Sequence, residues 1–322
     1  MKIVFFNKTL ISGGIEKCIE NLSSYIYKDY ELEVVYTDDN ILDNNIVKLL
    51  SKYAKVYKIE ENMHIDCDIC IWCYLYFDYP KLKRIISAQK YIAWIHSMPR
   101  ILPDCRLDDN QFVNDCSEFV CVSEAVKRNL NISKPGMVIH NFVNPNIEKL
   151  ACVSNPFKDN SLRLAVVSRI SSGKGFERLL SLCQYMEERI PYELKIVGKG
   201  RNKEQEIKNW FKNFKNVEFV GYRDNPYNYI KNADYLVQLS DDESWCNSIT
   251  EAKVLGIPVV VTNFESAKEQ IIDEYNGIVV PLQNSNYEEI VDKMINLKNQ
   301  LKENLKEFKY ENEISKWLSI LK

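Results

Sequence analysis

Short apolar runs alternate with amphipathic stretches along nearly the whole chain, and the alternation occurs twice. KIVFF (2–6), LEVVYT (32–37), KVYKI (55–59), CDICIWCY (67–74), YIAWIH (91–96), FVCVS (119–123) and MVIHN (137–141) read as strands. Residues 141–160 then break the pattern with prolines and asparagines and read as a linker. The alternation restarts with LRLAVVS (162–168), LKIVG (194–198), VEFVG (217–221), YLVQLS (235–240), PVVVT (258–262) and GIVVP (277–281). Helical patterns lie between most of these runs. In the first, Ile15, Ile19, Leu22 and Ile26 recur on one face. Strands that are apolar throughout are buried on both faces, and helices between them imply parallel sheets. The expected class is therefore α/β with two Rossmann-like domains, 1–150 and 151–305, followed by a final helix over 306–322. Ligands of such sheets bind at the carboxyl ends of the strands, so the cleft between the domains is the expected site.

The balance of 42 basic against 45 acidic residues leaves a net charge of −3. That argues against nucleic acid as the main partner. No apolar run reaches the roughly 18 residues needed to span a bilayer. The opening MKIVFFNKTLISGG meets a polar break too early for a signal peptide. A cytoplasmic protein is expected, with contact at the inner face of the cell membrane left open. Cys67, Cys70 and Cys73 make a CxxCxxC run below His64, a spacing also seen in metal and iron–sulfur sites. Alternation along a strand turns Cys67 and Cys70 to opposite faces, so no metal site is expected.

Three segments could carry chemistry. In SDDESWCNSITEAKVLG (240–256), Glu243 lies at the end of a strand and Glu251 on the second turn of a helix starting near Cys246 or Asn247. At 1.5 Å per helical residue, the two carboxylates stand roughly 8–12 Å apart, enough to grip two hydroxyl-bearing parts of one ligand. Free amides at that helix start favour an anion. In SRISSGKG (168–175), Arg169 and Lys174 follow a strand and precede a helix, a suitable setting for a diphosphate. The segment lacks the upstream glycine and the final Ser or Thr of a Walker A loop. Gly13-Gly14 follows the first strand and opens a helix, letting a ligand approach the backbone. His96 ends a strand at a carboxyl edge, where it is placed for catalysis. The pairs Asp38-Asp39 and Asp241-Asp242 read as caps and turns.

Taken in order, these segments resemble the retaining glycosyltransferases of family 4, which have the two-domain GT-B fold. The resemblance spans nearly the whole chain and is densest over 163–281. GGIEK is similar to the family's Gly-Gly-x-Glu loop, SRISSGKG to its Arg-x4-Lys, and LKIVGKG to its strand-and-glycine pattern. Glu243 and Glu251 match its Glu-x7-Glu signature.

The resemblance implies a nucleotide-sugar donor, most simply UDP-linked, and a saccharide or lipid-linked saccharide acceptor in surface polysaccharide synthesis. Arg169 and Lys174 would neutralise the diphosphate, with amides at Gly13 and Gly14. Glu251 would hold the ribose. Glu243 would meet the sugar hydroxyls, with Trp245, Cys246 and Asn247 beside it. Gly198, Tyr222 and Arg223 would flank the base, and His96 would approach the sugar on the acceptor side. Retention would proceed by front-face attack, needing neither a carboxylate nucleophile, a divalent metal nor any cofactor.

The chain departs from the family at Ser244, where glycine is usual, and at Cys246, where a small residue is common. Both departures bear on donor identity. The final helix is expected to cross back to the first domain. YPKLKRIISAQKY (79–91) offers a basic helical face with apolar Leu82, Ile85 and Ile86, which suits an anionic membrane surface as well as a solvated helix. Two other functions share the fold: a nucleotide-sugar epimerase, and a non-catalytic partner subunit of another glycosyltransferase.

Overall fold

The computed structural model describes residues 1–73, 79–97, 110–130, 132, 134–152, 154–158, 161–200, 202–306, 308 and 313–322. The chain divides into two compact units, Met1–Pro145 with Asn312–Lys322, and Asn146–Glu311. No helix among the described residues is long and apolar enough to cross a membrane.

Unit 1 is built on seven parallel strands: β1 (Lys2–Asn7), β2 (Glu31–Tyr36), β3 (Lys55–Lys58), β4 (Ile65–Trp72), β5 (Ile86–Ile95), β6 (Cys116–Cys121) and β7 (Met137–Val138). They lie in the order β3-β2-β1-β4-β5-β6-β7. Helices α1 (Gly14–Ile26), α2 (Asn44–Leu50), α3 (Tyr79–Ile85), α4 (Asn110–Asp115) and α5 (Glu124–Asn129) connect them. The central strand β1 is buried from Ile3 onward, as its unbroken apolar run requires. Ile19, Leu22 and Ile26 of α1 are fully buried, each contributing roughly 1.5–3 kcal/mol by leaving water. Ser123 caps α5 by accepting from the Val126 N–H at 3.0 Å.

One expectation differs from the structure. The helix over 79–91 stops at Ile85, and Ile86 begins β5. Pairing with β4, in which Ile65 faces Ile86 and Cys67 faces Ala88, holds the second half extended. Leu82, Ile85 and Ile86 are buried in unit 1. Lys81 pairs with Glu61, and Lys83 with Asp115. The apolar side of the segment is therefore spent on the core. On β4, Cys67 donates its thiol to Ser87 O at 3.7 Å. No cluster of His, Cys, Asp or Glu that could hold a metal ion occurs among the described residues.

Unit 2 repeats the architecture. After α6 (Ile147–Ala151) come β8 (Leu162–Val167), α7 (Phe176–Met186), β9 (Tyr192–Val197), α8 (Glu204–Trp210) and β10 (Val217–Gly221). Then follow α9 (Tyr227–Lys231), β11 (Tyr235–Gln238), α10 (Asn247–Val254), β12 (Val259–Thr262), α11 (Ala267–Gln270), β13 (Gly277–Val280) and α12 (Tyr287–Lys306). All six strands are parallel, in the order β10-β9-β8-β11-β12-β13. Leu164, Val166, Ile196, Val237 and Val260 form the middle of the core, covered by Phe176, Leu179 and Met186 of α7 and by Met294 and Leu301 of α12. The last helix, α13 (Ile314–Ile320), belongs to unit 1, where buried Trp317 meets Trp94 edge-on at 4.5 Å.

Candidate active site

In unit 2 the order of strands reverses between β8 and β11, and sheets of this kind take ligands outside the carboxyl ends of the strands at such a point. The loop after β8 carries Arg169 and Lys174; the loop after β11 carries Glu243. Two glycines let these loops approach backbone to backbone. Gly175, at φ +70°, caps α7, and a Cβ there would stand 1.7 Å from Leu239 O. Gly198, at φ +151°, would place a Cβ 1.9 Å from Ser168 O. Only glycine fits either position. Arg178 of α7 ties the same junction by donating to Leu239 O at 2.7 Å and to Asp241.

Lys174 and Glu243 meet directly: the ammonium lies 2.6 Å from Glu243 Oε1. Arg169 is exposed, and its guanidinium makes no hydrogen bond or ion pair with any described residue. Among the described residues, the loop after β8 thus carries Arg169, whose guanidinium has no such partner, and Lys174, engaged with a carboxylate. Glu251 lies on the second turn of α10 and is buried. Gly198 donates its N–H to Gly221 O at 3.0 Å, joining the ends of β9 and β10. Beyond β10, Tyr222 lies under the Lys199 ammonium, and exposed Arg223 donates back to Tyr222 O.

The turn into α10 differs in one respect from the expected amide cradle. The Cys246 N–H donates to Gln270 Oε1 at 3.1 Å, so it is not available to a ligand. Gln270 Nε2 donates in return to Cys246 O at 2.9 Å and to Thr250 Oγ1 at 3.1 Å. The Trp245 indole N–H also donates to Thr250 Oγ1, which fixes the ring. Cys246 turns inward: its thiol lies 3.2 Å from Ser248 Oγ, and burial pushes it up to about 12, so it stays protonated. Asn247 opens α10, half-buried.

Sequence reasoning missed Gln238, Ser240, Ser266, Thr250 and Gln270, which hold this turn. Ser266 donates to Glu243 O at 2.8 Å. Their partners lie up to 24 residues away, so no local pattern exposes them. Of the acidic pairs, Asp38 makes a turn by accepting from the Asn40 N–H, while Asp39 pairs with Lys58 at 2.9 Å and Asp241 with Arg178.

In unit 1, Gly13 caps α1 with an extended backbone, and Gly14 is its first residue. Glu16 folds back over this start, accepting from Asn7 Nδ2 at 3.1 Å and from the Ile11 N–H at 3.3 Å. His96 follows β5 and packs on Trp94 at 4.5 Å between ring centres. Burial lowers its pKa to about 3, so the imidazole is neutral at physiological pH. Its Nε2 has no hydrogen-bond partner among the described residues.

Residues 152–313, just over half of the chain, match the family described as glycosyl transferases group 1. A glycosyltransferase of Methanocaldococcus jannaschii, itself described as uncharacterized, is 24% identical over 83% of this chain and 80% of its own length. Among solved structures, Anabaena HepE in complex with UDP and glucose aligns over 100% of this chain and 99% of its own, with a TM-score of 0.74 at 17% identity. The lipopolysaccharide outer core galactosyltransferase WaaB aligns over 100% and 99%, with a TM-score of 0.67 at 15% identity. The two parallel sheets are those of the GT-B fold.

Proposed function

This chain belongs to the glycosyl transferases group 1, and on that footing we propose that it is a retaining hexosyltransferase. Its donor is a nucleotide-sugar, UDP-linked, and its acceptor a saccharide or lipid-linked saccharide of a surface polysaccharide. One observation carries the reading. The Lys174–Glu243 contact brings the basic loop after β8 and the acidic loop after β11 together at the point where strand order reverses. HepE, whose structure contains UDP and glucose, and WaaB, a galactosyltransferase of lipopolysaccharide, support the donor and acceptor classes.

In this reading Arg169 and Lys174 bind the diphosphate and stabilise the charge that grows on it as the sugar departs. Glu251 accepts from the ribose hydroxyls. Glu243 accepts from the sugar hydroxyls, with Trp245 and Asn247 beside them. Gly198, Tyr222 and Arg223 flank the base. The resemblance further assigns the Gly13-Gly14 turn to phosphate and His96, a neutral hydrogen-bonding group, to the sugar. The bond from the anomeric carbon to the diphosphate oxygen breaks while the acceptor oxygen bonds to the same face. The acceptor's proton passes to the departing diphosphate. The residues named need neither a carboxylate nucleophile, a metal nor a cofactor.

The test is the configuration of the sugar first released. A panel of α-linked UDP-sugars is incubated with the protein, and slow hydrolysis is followed by proton NMR. The α-anomer should appear first. Initial release of the β-anomer would refute retention, and epimerised donor would indicate the epimerase instead.

A further inference from the structure

Three hydrogen-bond donors converge on one oxygen of Glu243. Lys174 Nζ lies at 2.6 Å from Oε1, Ser240 Oγ at 2.8 Å and Gln238 Nε2 at 3.1 Å. Gln238 also donates to Ser240 Oγ at 2.7 Å, so the serine relays the amide to the carboxylate. A carboxylate only accepts, so the NH₂ end of the glutamine must face it. No described residue donates to Glu243 Oε2.

Gln238 is out of keeping with its strand. It closes β11, it is 3% exposed, and its Oε1 has no hydrogen-bond partner among the described residues. A buried amide with one end unpaired is costly, and a leucine would pack there without that penalty. The polar end is nonetheless aimed at Glu243, a carboxylate that the Lys174 cation also holds. In the donor reading, on which this inference rests, the diphosphate draws Lys174 away, and Glu243 then keeps only its two neutral donors.

We infer that Gln238, acting through Ser240 and directly, is a positioning residue. It keeps Glu243 Oε1 tied while Lys174 turns to the diphosphate, so that Oε2 stays presented to the sugar hydroxyls. Gln238 touches no ligand itself. Its removal should therefore be felt by a ligand that carries a sugar and not by the bare nucleotide.

Gln238→Leu and Gln238→Glu test this by calorimetry. The probes are UDP and whichever of UDP-glucose, UDP-galactose and UDP-N-acetylglucosamine the wild type binds tightest. Gln238→Leu should bind UDP as the wild type does and the UDP-sugar roughly tenfold more weakly, the scale of one hydrogen bond to a charged group. Gln238→Glu sets a second carboxyl against Glu243, and two such groups cannot both ionise freely. The acid limb of its kcat/KM profile for donor hydrolysis should move to higher pH. Gln238→Leu binding both probes normally, or losing both equally, would overturn the inference, as would an unmoved profile for Gln238→Glu. A wild type that binds none of the UDP-sugars overturns the donor reading and this inference together, which separates the two failures.

Discussion

Replacing Arg169 or Lys174 by alanine is expected to lower turnover about a hundredfold, the scale seen when one preorganised transition-state donor is lost. In the proposed reaction the negative charge of the departing nucleotide grows as the sugar leaves, and these two cations are the groups proposed to meet it. Their losses should differ in character. The Arg169 guanidinium has no hydrogen bond or ion pair among the described residues, so Arg169→Ala should remove the proposed anion contact and disturb little else. Lys174 is the charged partner of Glu243, so Lys174→Ala also leaves that carboxylate with only Gln238 and Ser240. Steady-state donor hydrolysis should therefore show the larger fall in kcat/KM for Lys174→Ala. Near-normal rates in both variants would remove the diphosphate from these loops.

The largest effect on stability is expected at Asp234, at the opposite edge of the sheet of unit 2. Its carboxylate, 3% exposed, accepts from the Arg163 N–H at 3.0 Å, from Arg163 Nη2 at 3.1 Å and from Lys302 Nζ at 3.0 Å. One side chain so joins the start of β8, the entry to β11 and helix α12. Burial alone would raise its pKa, but the Arg163 hydrogen bonds and the Lys302 charge prevail and hold it well below the usual carboxylate range. A depressed carboxylate stabilises the fold above its unfolded pKa of about 3.9. That contribution is lost as the pH falls below this value toward the folded pKa.

Breaking such a buried pair costs roughly 3–5 kcal/mol. Arg163 and Lys302 reach solvent, which favours the lower end. Asp234→Ala should thus melt about 10 °C below the wild type at neutral pH, at roughly 2–4 °C per kcal/mol for a unit of this size. The gap should close in acid. A neutral-pH difference under about 2 °C, within what an ordinary surface substitution causes, would contradict this.

The sheets were legible because a strand buried on both faces must be apolar along its length, as KIVFF and VVVT are. The end of α3 was not. ISAQK (86–90) mixes polar and apolar residues in a way that suits a helix equally, and only pairing with β4 decides it. The candidate site divides the same way. Arg169, Lys174, Glu243 and Glu251 stand at readable spacings beside strand ends. Their contacts do not: Lys174 and Glu243 are separated by 69 positions. Gln270 captures the Cys246 amide from another helix, and Gln238 looks like a polar interruption in YLVQLS until its amide is seen facing Glu243. Spacing reveals the charged groups proposed to meet a ligand; the groups that hold them come from the tertiary fold.

The carboxyl edge of β8 and β11 is the proposed binding place of a nucleoside diphosphate. Titrating UDP into the wild type and into Arg169→Ala by calorimetry tests it most directly. The expected result is saturable binding of one UDP per chain, at least about tenfold weaker in the variant, the scale of a lost charged hydrogen bond. Binding of equal strength in the two proteins, or no saturation at millimolar UDP in the wild type, would contradict it.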